Sequence, residues 1–192
     1  MDIKIDQDIF KSFPKLETER LFLREILLKD STDLYEIRSN EEVMRFMDTY
    51  KMTSIGDAEK LIHSVKESFI NKSGINWAMV EKTSNRFVGY CGFWRIIPEH
   101  CRTEIGYALS PQYWGKGYML EALNTIIHYG FTQIKFHSIE ANVNPDNKNS
   151  IHLLERIGFK KEAYFRENFL FNNKFLDSMI YSLLEKDFSF SR

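Results

Sequence analysis

Cysteine and proline are scarce in this chain, two and four residues in 192, and neither charge sign dominates. Cys91 and Cys101 are too few for a disulfide framework and lack the paired spacing of a metal site, so both read as reduced thiols. The five histidines are scattered without a pair on one helical turn, and no metal is expected. No apolar run approaches the ~18 residues of a membrane-spanning helix, and residues 1–6 have no apolar core like that of a secretory signal. A cytoplasmic location with no membrane partner is the expectation. With 26 basic against 27 acidic side chains and a net charge of -1, no global field draws the chain to nucleic acid, and no basic run supplies a local one. Repeats, low-complexity tracts and linkers are missing too. That leaves a single domain over residues 16–187 behind a loose lead-in of residues 1–15.

What is present is a globular composition, 43% hydrophobic and 28% charged. Leu21, Leu23 and Ile26 suggest a first strand, with Glu19, Arg20 and Arg24 on or near its wet side. Asp30 or Ser31 caps a short helix carrying Leu34 and Ile37. Residues 43–52 hold apolar and aromatic side chains without a readable period. Ser54 and Asp57 resemble a capping box, opening a second helix along Leu61, Ile62, Val65 and Phe69. Residues 77–80 and 87–94 read as a hairpin turning at Ser84-Asn85-Arg86, and the two glycines of its second strand mark a bulge or a close backbone contact. Further on come a strand at 138–143, a helix at 149–157 stopped by Gly158, and late strands at 159–162 and 177–184.

Residues 103–131 organise the rest. A strand over 104–109 stops at Ser110-Pro111, because proline removes a ladder donor. Gln112-Tyr113-Trp114-Gly115-Lys116-Gly117 then spaces two glycines two apart, which opens backbone conformations closed to other residues and lets a ligand approach the main chain. Met119, Ala122, Leu123, Ile126 and Ile127 recur at helical spacing opposite Glu121, Asn124, Thr125 and His128. A helix opening on such a turn offers unpaired N–H groups and the positive end of its dipole to an anion such as a pyrophosphate, and Lys116 adds charge. Neither the Walker ending nor the three-glycine dinucleotide fingerprint is present, and by itself the turn fits an ordinary strand-to-helix connection equally well. Strand, helix and following strand make a parallel unit with a right-handed crossover, so the fold class is α/β.

The segment from Gln112 to Tyr118 resembles the Gln/Arg-x-x-Gly-x-Gly/Ala pyrophosphate loop of the GNAT superfamily of acetyl-CoA-dependent N-acetyltransferases, in its RimJ/RimL-type branch. Asn144-Pro145-Asp146-Asn147-Lys148-Asn149-Ser150, followed by Leu154-Glu155-Arg156-Ile157-Gly158-Phe159, is similar to the family's later Asn-x-x-Ser and Gly-Phe segment. The opening from Glu17 to Arg24 and the closing from Asn172 to Tyr181 also resemble this branch. The resemblance implies a mixed, mostly antiparallel sheet with helices on both faces. Its central parallel strand pair, ending at Leu109 and Val143, splays apart to admit the pantetheine arm of acetyl-CoA. It also implies cofactor contacts from Ala108, Leu109, Gln112, Trp114, Gly115, Lys116, Gly117, Tyr118 and Asn147, the last equally suited to holding a turn.

Acetyl transfer from a thioester to an amine needs a neutral amine, a donor for the oxyanion and a proton for the departing thiolate. Glu104, in the Glu-Ile-Gly-Tyr pattern common in this branch, is the first candidate for the base, with a solvated strand glutamate as the competing reading. Glu167 is the second, against a simple ion pair with Arg166. Many relatives protonate the thiolate with a tyrosine where this chain has Leu154, which shifts the role to Ser150; capping its helix is the competing role. The oxyanion donor implied by the family is an N–H on the strand ending at Leu109. Asn142 faces the cleft or is a satisfied interior amide, and Trp94, Arg95, Phe46 and Tyr50 shape the acceptor pocket or fill the core. The acceptor implied is a protein N-terminal α-amino group, the alternative being a polyamine, antibiotic or metabolite amine. A non-catalytic acyl-CoA sensor, suggested by Leu154, is the reading of a different class. A monomer or a homodimer fits either.

Overall fold

The computed structural model describes residues 4–190, so the start of the expected lead-in lies outside the described residues. Strands β1 (Leu16–Glu17), β2 (Leu21–Glu25), β3 (Ile75–Glu81), β4 (Phe87–Ile97), β5 (Arg102–Leu109), β6 (Ser138–Val143), β7 (Lys160–Phe171) and β8 (Lys174–Leu184) form one sheet in the order β1-β2-β3-β4-β5-β6-β8-β7. Neighbours are antiparallel except β5 and β6, which a helical crossover makes parallel. This is the mixed, mostly antiparallel α/β sheet expected.

Helices α1 (Ser31–Ser39), α2 (Glu41–Met44) and α3 (Ile55–Ile70) precede β3, while α4 (Tyr118–Tyr129) joins β5 to β6 and α5 (Lys148–Ile157) joins β6 to β7. Alternation along the strands builds two cores. On one face Ala78, Val80, Phe87 and Ala108 pack with Leu34 and Ile37 of α1 and Ala58 and Ile62 of α3. On the other, Ile105, Leu109, Ile139 and Ala141 pack with Leu123, Ile126 and Ile127 of α4 and Leu154 and Ile157 of α5. Asp30 stands at the start of α1 without the expected side-chain cap, whereas α3 and α5 begin where side chains satisfy their first amides. Ser54 and Asp57 form the expected capping box of α3, and the Asn147 carboxamide accepts from the Ser150 N–H at 3.1 Å at the start of α5.

Several expectations change. The lead-in is docked: a short 3-10 turn at Gln7–Lys11 buries Phe10, and the Asp6 N–H donates to the Ile134 carbonyl at 2.8 Å. Arg20 and Arg24 are not wet but partly buried, because Glu121 and Asp30 pair with them. The last two strands form a hairpin far longer than 159–162 and 177–184. Residues 43–52 hold the end of the one-turn α2 and an irregular loop. The β4 glycines report close contact: a Cβ on Gly92 would stand 2.3 Å from the Ile75 carbonyl oxygen, and one on Gly89 2.4 Å from that of Ala108. The register of β4 also shifts beside Gly89, where Met79 pairs with Gly89 and Val80 with Phe87, and again between Trp94 and Ile97.

Gly92→Ala should destabilise the chain by about 1–3 kcal/mol, since a clash with main chain cannot be relieved by a rotamer change. Urea unfolding measures it. Gly56→Ala, whose nearest new neighbour would be the Ser54 hydroxyl at 3.6 Å, should be neutral or stabilising.

Candidate active site

The parallel ladder between β5 and β6 ends early. Its partners are Arg102 with Ser138, Thr103 with Ile139 and Glu104 with Glu140, although β5 continues to Leu109 and β6 to Val143. Past Glu104 the strands part, as expected for a splayed pair. The other edge of β5 stays bound to β4 through Leu109, and the Ser110 N–H donates to the Val88 carbonyl at 2.9 Å. Main-chain groups alternate between the edges of a strand, so Tyr107 and Leu109 turn theirs into the gap while Ala108 turns its own toward β4. The Leu109 carbonyl accepts from Trp114 Nε1 at 2.8 Å. Among the described residues the Tyr107 and Leu109 amides have no strand partner on that side.

Beside the gap, the chain turns through a 3-10 segment, Pro111–Tyr113, into α4. Gly115 (φ +70°) and Gly117 (φ +82°) both take left-handed backbone, and a Cβ on Gly115 would meet nothing within 4 Å. Among the described residues no side chain caps α4, in contrast to α5, so its first amides remain available to an anion. Gln112, Trp114 and Lys116 are exposed around this open start. The loop is held from behind. Arg20 donates to Glu121 through Nε at 2.7 Å and to the Lys116 carbonyl through Nη1 at 2.9 Å, and its guanidinium lies 4.2 Å from the Tyr118 ring centroid. Burial opposes the charge on Glu121, but hydrogen bonds from Thr18 and Arg20 outweigh it and hold the carboxyl below its usual pKa. Tyr118 Oη in turn donates to Glu81 at 2.6 Å. A diphosphate fits this start: two left-handed glycines, open space, uncapped amides and one adjacent lysine.

Glu104 and Ser150 flank the gap from opposite faces. Glu104 is buried on the α1/α3 face, 5% exposed, and pairs with Arg95 across the β4 bulge. Its parallel partner Glu140 pairs with Arg102, and these four residues with Ile97 and Thr103 line a pocket of about 130 Å³. On the α4/α5 face, Ser150 Oγ and Tyr107 Oη share a hydrogen bond of 2.6 Å. Burial pushes the Tyr107 phenol up to about 12, the hydrogen bond with Ser150 pulling the other way. Asn147, not Ser150, caps α5, so the Ser150 hydroxyl is free for Tyr107. Leu154 is core, 1% exposed.

The α1/α3 face is only half covered. Over β6, β8 and β7 it presents Glu140, the exposed Asn142, Ile180, Leu176, Phe165 and Phe169, with no part in the α1/α3 core. The hairpin reaches back at its tip, where the Phe171 ring lies 5.0 Å from that of Tyr50. Glu167 stands apart from the gap on edge strand β7, in a left-handed bulge (φ +49°), with its N–H donating to Asp177 at 2.8 Å. Its expected ion pair with Arg166 is not among those formed by the described residues. An open recess of about 590 Å³ lies at this bulge. Trp94 and Arg95 border the site, while Tyr50 is exposed and meets the hairpin tip through Phe171. Tyr107, Arg20 and Glu140 were not singled out from the sequence. Tyr107 and Ser150 lie 43 residues apart, and Arg20 and Glu121 lie 101 apart.

Residues 20–160 match the acetyltransferase (GNAT) domain family. The chain is 34% identical over 174 residues to an uncharacterized N-acetyltransferase, p20, of Bacillus licheniformis, covering 91% of this chain and 98% of that one. It is 36% identical over 118 residues, 61% of each chain, to the ribosomal protein uS5 alanine N-acetyltransferase of Escherichia coli. To the spermidine N(1)-acetyltransferase of Vibrio cholerae it is 24% identical over 82% of this chain and 89% of that one. A GNAT-family acetyltransferase from Bacillus anthracis superposes with a TM-score of 0.81 at 28% identity, over 90% of this chain and 99% of that one. The family match covers both the loop before α4 and the diverging strands, and on it the chain belongs to the GNAT family of N-acetyltransferases, with acetyl-CoA as its co-substrate.

Proposed function

We propose that the chain acetylates the α-amino group at the N-terminus of a protein, by direct attack of that amine on acetyl-CoA. The observation that carries this reading is the half-bare sheet face beside the gap. Its aromatic and amide lining over β6, β8 and β7 suits an extended chain end entering toward Glu104. The likeness to the uS5 alanine N-acetyltransferase supports it. A polyamine is the less suited acceptor, because the two carboxylates lining the pocket are already paired with Arg95 and Arg102. No helix of the described residues is long and apolar enough to cross a membrane.

Acetyl-CoA supplies the acetyl group as a thioester. The main chain at Gly115, Lys116 and Gly117 and the first amides of α4 hold the diphosphate, with Gln112 and Trp114 at its rim, and Arg20 keeps that loop in shape. Ala108 gives the gap a small buried wall and Asn147 fixes the start of α5 next to it. An N-terminal ammonium has an ordinary pKa of about 7.7–8.0, so one proton must leave before attack, and Glu104 receives it directly or through water. The new C–N bond forms as the C–S bond breaks. Tyr107 or Leu109 N–H meets the oxygen that gains charge, and the Tyr107–Ser150 pair returns a proton to the thiolate on the far face. Acid and base therefore sit on opposite sides of the sheet, matching entry of the amine on one face and departure of the thiol on the other.

Peptides with free N-termini should be acetylated at rates indifferent to changes beyond their first few residues; acetylation of free small amines alone would overturn the acceptor. Glu104→Gln should lower kcat/KM by about 10²-fold or more, followed by thiol release. Tyr107→Phe and Ser150→Ala should lower kcat with little change in the KM for acetyl-CoA. Because burial holds Tyr107 protonated well above neutrality, the kcat profile should show no falling limb near the pH of about 10 at which an ordinary tyrosine titrates. Such a limb, absent in Tyr107→Phe, would contradict the role. Gly117→Val should abolish acetyl-CoA binding, since valine is strained at φ +82°, and Arg20→Gln should raise the KM for acetyl-CoA about tenfold while sparing kcat.

A further inference from the structure

Among the partly buried arginines of the described residues, Arg20, Arg24 and Arg102 each face a carboxylate, from Glu121, Asp30 and Glu140 respectively; Arg38 faces none. It stands in the last turn of α1, where its Nη1 donates to Tyr90 Oη at 3.1 Å and approaches Met47 Sδ at 3.1 Å. Its Nε is buried with no hydrogen-bond partner among the described residues. The Met52 N–H donates to the Arg38 carbonyl at 3.1 Å, so the residue also anchors the irregular loop before α3. A guanidinium cannot shed its proton, and this partly buried one, with a phenol and a thioether as its side-chain contacts, lacks a paired carboxylate among the described residues.

Its position gives this vacancy of charge a use. Tyr90 pairs with Ala108 across β4 and β5, on the α1/α3 face that also bears Gly106 and Glu104. Glu104 and Ala108 lie about 13 Å apart along the strand, with Gly106 about 7 Å from each. A Cβ on Gly106 would come 3.4 Å from Trp94 Nε1, so the half-exposed indole covers that midpoint. The face thus carries, in a row, a carboxylate already paired with Arg95, an indole whose ring lies 5.0 Å from the same guanidinium, and a cation that faces no carboxylate. That order is complementary to an amine with a carboxylate a few bonds away.

We propose that Arg38, steadied by Tyr90, recognises a carboxylate on the acceptor and selects for amines that carry one close to the reacting nitrogen. The inference rests on the reading of this face as the acceptor side. The carboxylate comes either from an acidic side chain at the second position of a peptide or from the α-carboxylate of a free amino-acid-like amine. A charge-assisted hydrogen bond from Nη2, the guanidinium nitrogen not engaged by Tyr90 or Met47, serves both.

Two matched pairs test it by thiol release with acetyl-CoA: peptides with aspartate or asparagine second, and an amino acid against its carboxamide. The carboxylate member of at least one pair should show kcat/KM higher by about tenfold or more. Arg38→Gln should erase that difference by lowering the carboxylate member to the level of its neutral partner, and Arg38→Lys should restore part of it. A thermal shift with acetyl-CoA checks that each variant is folded and binds the co-substrate. Preference confined to the amino-acid pair would keep the role of Arg38 and overturn the protein N-terminus. Peptide turnover with no preference in either pair would do the reverse. An Arg38→Gln loss that falls equally on both members of a pair would make the residue merely structural and also overturn the proposal.

Discussion

Beyond Glu104 and Glu140 the two parallel strands stop sharing hydrogen bonds, and the site is built on that interruption. A strand edge left open inside a sheet carries donors and acceptors that water cannot easily reach. Here β4 keeps one edge of β5 fixed through Leu109, so the opposite edge cannot drift to pair elsewhere. The helix after β5 begins beside the opening, and the helix after β6 brings Ser150 to the side of Tyr107. The proposed sites of co-substrate, base and proton donor thus all adjoin one departure from regular pairing.

Charge is arranged with equal economy. Arg20 and Glu121 neutralise one another while fixing the turn at Lys116 and Gly117, which leaves the α4 amides to be the positive feature at that end. Glu104 and Glu140 stand side by side and each has its own arginine, so two carboxylates are kept close without a bare repulsion between them. Arg38 breaks the pattern, and it does so on the face where an acceptor would lie.

The sequence was informative where the information is local. Glycine spacing and the helical period of Met119 to Ile127 placed the loop and α4, and the strand over 138–143 has the bounds expected. The capping box of α3 was visible because Ser54 and Asp57 are three residues apart. Contacts that close over long stretches of chain left no such trace: Tyr107 meets Ser150, and Arg20 meets Glu121, only once the sheet is assembled. Length was misjudged for the terminal hairpin because β7 is exposed along nearly all of its course and shows no buried alternation. Ser150 was matched from the family segment, but that Asn147 would take the capping role could not be told from two polar residues in one turn.

Amide hydrogen exchange with and without coenzyme A bears most directly on the claim that the open strand edge and the uncapped helix start hold the co-substrate. Slowed exchange at Leu109, Gly115, Gly117, Tyr118 and Met119, with little change on the β7–β8 hairpin, is the predicted result. Binding of coenzyme A that leaves those amides unprotected and shields another surface would contradict it.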